Sequence, residues 1–93
     1  MEITDNNFLR QFETKINGGL AIIEYSDQER KIFLTKIILP ENSTDEFKEA
    51  FLIEIFEIIK DRKLRMMPTS SEIKTFLKSK REYMELLPIG VRL

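Results

Sequence analysis

Polar and apolar positions alternate early in the chain: Phe8, Phe12 and Ile16 interleave with Leu9, Gln11, Glu13 and Lys15, the period of two expected of a half-buried strand. Asn17-Gly18-Gly19 ends this run with residues that tolerate the positive φ of a tight hairpin turn, and Leu20 to Ser26 reads as a second strand. The polar stretch Ser26 to Arg30 predicts another turn. Lys31 to Leu39, rich in β-branched and aromatic residues, predicts a third strand, which Pro40 ends because it cannot donate to a ladder. The period then changes. Phe47, Phe51, Leu52, Ile55, Phe56, Ile58 and Ile59 fall on one broad face of a helix from Ser43 to Lys60, with Glu46, Glu49, Glu54, Glu57, Lys60 and Asp61 on the other. Leu64 to Met67 suits a short fourth strand stopped by Pro68. A second helix, from about Ser70 to Ser79, places Ile73, Phe76 and Leu77 on one side. The tail from Arg81 carries enough apolar residues to dock.

The order β-β-β-α-β-α predicts an α+β domain, with residues 1–93 folding as one unit around a single core. The first three strands form an antiparallel meander. The long helix then returns by a right-handed crossover, setting the fourth strand parallel beside the third.

Composition narrows the chemistry. A formal net charge of −1 leaves no basic footprint for nucleic acid. Cysteine and histidine are both absent, which removes disulfides, thiolate metal sites, the commonest metal ligand and the commonest general base near neutral pH. Any catalysis would rest on carboxylates, Lys, Tyr, Ser or backbone groups, and no metal site is expected. The N-terminus has neither the basic head nor the apolar core of a signal peptide, and Phe47 to Ile59 is too short and too charged to span a bilayer. A cytoplasmic protein with no membrane partner is the expectation.

The candidate sites each have a structural reading beside a chemical one. Ser43 and Glu46 have capping-box spacing, as do Thr69 and Glu72. A helix N-terminus also attracts phosphate through its partial positive charge, but Asp45, Glu46 and Glu49 already occupy that field. Ser70 and Ser71 offer hydroxyls without a histidine to activate them, so capping is the stronger reading. Glu13 and Glu24 sit on neighbouring strands as solvated carboxylates, and Lys78 to Glu82 reads as a wet helix end.

Taken in order, these pieces resemble the very small members of the GNAT acetyltransferase superfamily. "QFETKINGGLAIIEY" is similar to that family's Phe-Glu strand, Asn-Gly turn and Leu-Ala, Glu-Tyr strand, matching at Phe12, Glu13, Gly18, Leu20, Ala21, Glu24 and Tyr25. "RKIFLTKIILP" resembles the family's third strand, matching at Thr35 and Pro40. "LRMMPTSSEIKTFLKSKREYMELL" resembles its last strand, Pro-x-Cys loop and closing Glu-Tyr segment, matching at Leu64, Pro68, Phe76, Glu82 and Tyr83.

The resemblance implies acetyl-CoA as cofactor and an amine of a small molecule or protein as substrate. The family's Arg-Gly-x-Gly-x-Gly/Ala phosphate loop falls on Ser43, Thr44, Asp45, Glu46, Phe47 and Lys48, where every glycine is gone. Backbone N–H groups near Ile38 and Leu39 would polarise the thioester carbonyl, as an oxyanion hole does. Lys36 falls at the family's histidine position, Ile38 at its acidic one and Ser70 at its cysteine, while Lys80-Arg81 replaces a His-Pro pair. Lys36 and Ser70 are therefore the candidate catalytic positions. The pattern predicts a divergent, inactive homologue that keeps the scaffold for binding; the alternative is a working N-acetyltransferase in which Lys36 or Lys48 reaches phosphate instead of the loop. A homodimer formed through a sheet edge or the tail is compatible with either.

Overall fold

The computed structural model of the chain describes residues 1–93. Five strands form one sheet in sequential order: β1 (Thr4–Asn6), β2 (Gln11–Ile16), β3 (Gly19–Gln28), β4 (Lys31–Ile38) and β5 (Arg65–Pro68). The first four pair antiparallel, and β5 runs parallel to β4. Helix α1 (Asp45–Asp61) carries the chain from β4 to β5, and α2 (Ser71–Ser79) follows β5 ahead of a short 3-10 helix, Arg81–Leu86. The α+β class and the parallel fourth pairing match the sequence expectation. The meander, however, has four strands rather than three.

The extra strand is β1, whose Thr4-Asp5-Asn6 has no apolar alternation to announce it. Its existence moves the start of the next strand. The chain reverses between Asn6 and Gln11, where the Asn6 Oδ1 accepts from the Leu9 N–H at 3.0 Å and Arg10 adopts φ 57°. Phe8 therefore lies in a turn, 93% exposed, and not on the strand its spacing suggested. The next hairpin follows its sequence: Ile16 pairs with Gly19 across Asn17 and Gly18, with φ of 48° and 76°. Both signs are those of a type I′ turn. At the far end β3 runs on through Ser26, Asp27 and Gln28, because cross-strand pairing with β4 outweighs their polarity, leaving only Glu29 and Arg30 as the turn.

One face of the sheet is the core face. Phe12, Ala21, Ile23, Tyr25, Ile32, Leu34 and Met66 meet Phe51, Leu52, Ile55, Phe56 and Ile59 of α1 and Ile73 and Leu77 of α2 in one buried cluster. The Phe56 ring lies 6.0 Å from that of Phe76 and 5.4 Å from that of Tyr83, which draws α2 and the 3-10 helix onto the same layer. The tail docks as expected. Residues alternating with the core positions, among them Ile22, Glu24, Phe33, Lys36 and Ile38, face the other way, where no helix covers them.

Helix α1 ends in a Schellman arrangement: the Leu64 N–H donates to the Ile59 carbonyl at 3.2 Å and the Lys63 N–H to the Lys60 carbonyl at 3.0 Å. This requires a left-handed residue, here Lys63 at φ 59°. No helix of the chain is long and apolar enough to cross a membrane.

Candidate functional site

The carboxyl ends of the parallel pair β4 and β5 lie together, and both feed helices. β5 pairs with β4 only as far as Leu34 opposite Pro68, whereas β4 continues to Ile38. The Leu34 carbonyl takes the Thr69 N–H at 2.9 Å as the chain turns away into α2. Beyond that point the β5 side of β4 has no strand.

Backbone directions along this open edge follow from the hairpin. The pair closing a two-residue turn is hydrogen-bonded, so Ile16–Gly19, Thr14–Ala21 and Phe12–Ile23 bond to each other, and the Tyr25 N–H continues the series by donating to the Arg10 carbonyl at 2.9 Å. The intervening residues Ile22 and Glu24 then point their backbone groups at Ile38 and Lys36 of β4. A bulge at Thr35 separates these pairs from Tyr25–Leu34. It follows that Ile37, not Ile38, turns its N–H and C=O into the gap beyond β5. Ile38 is engaged with Ile22 through its backbone, and its side chain is 38% exposed on the outer face. Leu39 packs its side chain against the core.

Two helix starts close over the same end. Each is capped one residue later than the capping-box spacing suggested. The α1 cap is Thr44, whose Oγ1 accepts from the Phe47 N–H at 3.0 Å, and the α2 cap is Ser70, whose Oγ accepts from the Ile73 N–H at 3.3 Å. Ser43 is unavailable for capping because its Oγ donates to the Pro40 carbonyl at 2.6 Å and its N–H turns to the same oxygen at 3.3 Å. Thr69 is held by Leu34 in the same way, its N–H donating to that carbonyl at 2.9 Å. Glu46 and Glu72 are first-turn acids rather than capping-box partners. They complement the positive ends of the two helices.

Lys48 of α1 forms an ion pair with Glu72 of α2, so the two N-terminal turns are tied together across the strand ends. Beside this pair lies a hollow of about 420 Å³ walled by Asp45, Lys48, Glu49, Glu72, Thr75 and Phe76. Its lining carries more carboxylates than ammonium groups. Among the amides of Ser43 to Lys48, those of Ser43, Phe47 and Lys48 have protein acceptors. Those of Thr44, Asp45 and Glu46 are left over, as N–H groups at a helix start are.

The sequence-derived site residues are thus partly gathered. Thr44, Asp45, Glu46, Lys48 and Ser70 share the end of the sheet where α1 and α2 begin, and Ser43 flanks them in its turn. Phe47 instead turns its ring towards Phe51, 5.9 Å between centroids, and helps wall a hollow of about 530 Å³ with Met1, Thr14, Lys15 and Leu20 at the β1–β2 side of the sheet. Lys36 stands opposite Glu24 on the outer face, so it does not converge with Ser70, which caps a helix on the core side. Ile37 and Glu72 are the positions that sequence reasoning missed. The bulge that exposes the Ile37 backbone leaves no local signal, and the Lys48–Glu72 pair joins separate elements.

Neither displaced phenol belongs to this end. Tyr25 is pushed up to about 12 from 10.0, first by burial and then by the bond its hydroxyl donates to Asp5 at 2.6 Å. Asp5 also meets the Arg62 guanidinium at 2.8 Å, just beyond the last residue of α1. Tyr83 is pushed up to about 12, first by donating to Glu57 at 2.6 Å and then by burial. Both are locks between elements. No group of three or more potential metal ligands is gathered anywhere in the chain.

No family model matches the chain, and no curated protein matches it. Among solved structures, the chain is similar to the NMR solution structure of a GCN5-like putative N-acetyltransferase from Staphylococcus aureus, with a TM-score of 0.72 and 18% identity over 98% of this chain and 90% of that one. At that identity the likeness shows the fold: a GNAT-type α+β domain spanning nearly the whole chain.

Proposed function

We propose that this chain is a divergent GNAT-fold domain that does not use acetyl-CoA and serves as a binding scaffold. The observation that carries the reading is the Lys48–Glu72 ion pair with its surrounding carboxylates, at the strand ends where open α/β sheets hold ligands. A pyrophosphate there would have to displace Glu72 from Lys48 and approach the exposed carboxylates of Asp45 and Glu49. The amides of Ser43, Phe47 and Lys48 are spent on internal acceptors. Charge-assisted hydrogen bonds contribute about 1.5 to 3 kcal/mol each. Lacking three of them removes enough to take a micromolar site, worth about 8 kcal/mol, beyond the millimolar range.

The alternative, an N-acetyltransferase with altered acyl-CoA contacts, is favoured by the acceptor-free amides of Thr44, Asp45 and Glu46 and by the Ile37 backbone facing the β4–β5 gap. An amine substrate would then attack the thioester carbonyl carbon, the C–N bond forming as the C–S bond breaks and the CoA sulfur leaves as a thiol with the proton the amine loses, while the Ile37 N–H polarises the carbonyl. Calorimetric titration with acetyl-CoA and CoA separates the two. The scaffold reading expects no saturable heat below about 1 mM ligand, and saturation at micromolar concentration overturns it.

A further inference from the structure

The end of the sheet opposite the α1 and α2 starts combines exposed apolar side chains with cations. β1 ends there, β2 begins, the β3–β4 turn closes, and α1 gives way to β5. At its tip, in the turn between β1 and β2, Phe8 is 93% and Leu9 56% exposed. The exposure is built into the turn. The Asn6 Oδ1 holds the Leu9 N–H at 3.0 Å and the Arg10 guanidinium meets Asp27 at 2.7 Å, so the chain on both sides of Phe8 is fastened and its ring is held away from the sheet. Neither side chain lines any hollow of the chain, which makes the turn a projection and not one wall of a groove.

Charge at this end is basic. Asp27 and Asp5 are taken up by Arg10 and Arg62. Arg30, Lys31, Lys60, Lys63 and Arg65 are exposed and enter no ion pair, with Glu29, Asp61 and Glu85 the carboxylates beside them. Arg65 is fixed by donating to the Glu85 carbonyl at 2.8 Å, and with Lys60 and Lys63 it walls a hollow of about 420 Å³. Lys60 and Lys63 also complement the negative end of α1, but Arg30 and Lys31 end no helix. The opposite end carries Glu41, Asp45, Glu46, Glu49 and Glu72, so a chain of net charge −1 is polarised, with the Phe8 turn at its positive pole.

We infer that this end binds an anionic lipid surface, Phe8 and Leu9 entering the headgroup boundary while Arg30, Lys31 and Lys63 meet lipid phosphate and carboxylate groups. The occupant is argued from shape and charge together. An aromatic and an aliphatic side chain on a projecting turn, with exposed cations around them, complement a surface that is negative outside and apolar beneath. The lack of a spanning segment, which underlies the expectation of no membrane partner, does not bear on a domain that lies on the surface. Two side chains and a few cations give weak, reversible attachment that salt screens. It uses none of the residues at the α1 and α2 starts and stands whether or not acetyl-CoA binds there.

Vesicles test it. In co-sedimentation with phosphatidylcholine vesicles containing about one-third phosphatidylserine, the full chain binds at low ionic strength, is released as salt rises, and stays in solution with phosphatidylcholine alone. Phe8→Ser weakens that binding about tenfold. Arg30→Glu weakens it about fivefold or more, whereas Lys15→Glu, the same change of charge near the far end of β2, leaves it unchanged. The chain has no tryptophan, so Phe8→Trp puts a lone reporter at the tip: its indole emission moves to shorter wavelength with the anionic vesicles and is quenched by lipids brominated along the acyl chain. Circular dichroism and a thermal melt of each variant establish that the fold survives, so lost binding is not lost structure. A wild type that does not bind the anionic vesicles, equal losses from Lys15→Glu and Arg30→Glu, or an indole emission that no vesicle moves overturns the proposal, the last result leaving the turn to a protein partner.

Discussion

Alkaline pH removes two of the hydroxyl contacts that lock the elements together. Tyr25 and Tyr83 are the only tyrosines, and the chain has no tryptophan or cysteine, so absorbance of the ionised phenol reports on these two groups alone. Both are held at about 12 in the folded chain, against 10.0 for a free phenol. Between those values the unfolded chain has released protons that the folded chain still binds, so stability falls as pH rises. The contribution is fully present below pH 10 and gone once pH passes about 12. A displacement of that size corresponds to at most about 2.7 kcal/mol per group. Tyr25 is only 6% exposed and its partner Asp5 is itself held by Arg62, so its share stands near that ceiling. The Tyr83 bond reaches a carboxylate on the solvent-facing side of α1, and water screens it to about half. Urea denaturation from pH 9 to 12 should therefore show a loss of about 3 to 4 kcal/mol from the tyrosines. Tyr25→Phe should be less stable than wild type by about 1.5 to 3 kcal/mol at pH 8, the contribution of a bond to a charged acceptor. That gap should close as pH approaches 12. A gap that stays constant over the range, or a folded protein whose phenols ionise near pH 10, would refute the reasoning.

Two further outcomes test the local architecture. Thr44→Ala removes the hydroxyl that caps α1 and should cost about 1 kcal/mol in chemical denaturation, whereas Glu46→Gln, which breaks no reciprocal bond to the cap, should stay within about 0.5 kcal/mol of wild type. Lys63→Gly relieves a left-handed conformation at the end of α1 and should raise stability by about 1 kcal/mol, read as an upward shift of a few degrees in Tm.

What could be read from the sequence was whatever depends on neighbours in the chain. The face of α1, the Asn17-Gly18 hairpin and the parallel return of β5 are set by period, turn chemistry and element order, and they stand as expected. The misplaced caps share a cause: a residue with the spacing of a cap is already bound to another backbone carbonyl. Ser43 has the spacing of a cap but is bound to Pro40, and Thr69 likewise is bound to Leu34 across the sheet. The residues of β1 are polar and become a strand only because β2 offers an edge, with Asp5 then fastened by Tyr25 and Arg62. At the candidate site, the resemblance located the strand ends and helix starts, but the ion pair that occupies them joins residues 24 positions apart and obeys no spacing rule.

The bulge at Thr35 sets both the backbone direction at the end of β4 and the side chains that reach the uncovered face. In an unbroken strand, side chains alternate strictly, and a register slip of one residue exchanges faces for everything beyond it. Leu34 faces the core; without the extra residue Lys36 would follow it there and Ile37 would face out. Thr35 absorbs the step, its Oγ1 donating to the Glu24 carbonyl at 3.2 Å, so that Ile37 joins the core side opposite Ile23 while Lys36 and Ile38 pass to the uncovered face. The same step sets backbone direction, aiming the Ile37 N–H at the gap beyond β5. One inserted residue thus opens a donor at the helix-bearing end and places the Lys36 charge and the Ile38 side chain beside Glu24 and Ile22 on the outer face. A change in β4 that preserved composition but removed the bulge would disturb both surfaces together, whereas a change at Lys48 or Glu72 would touch only the first.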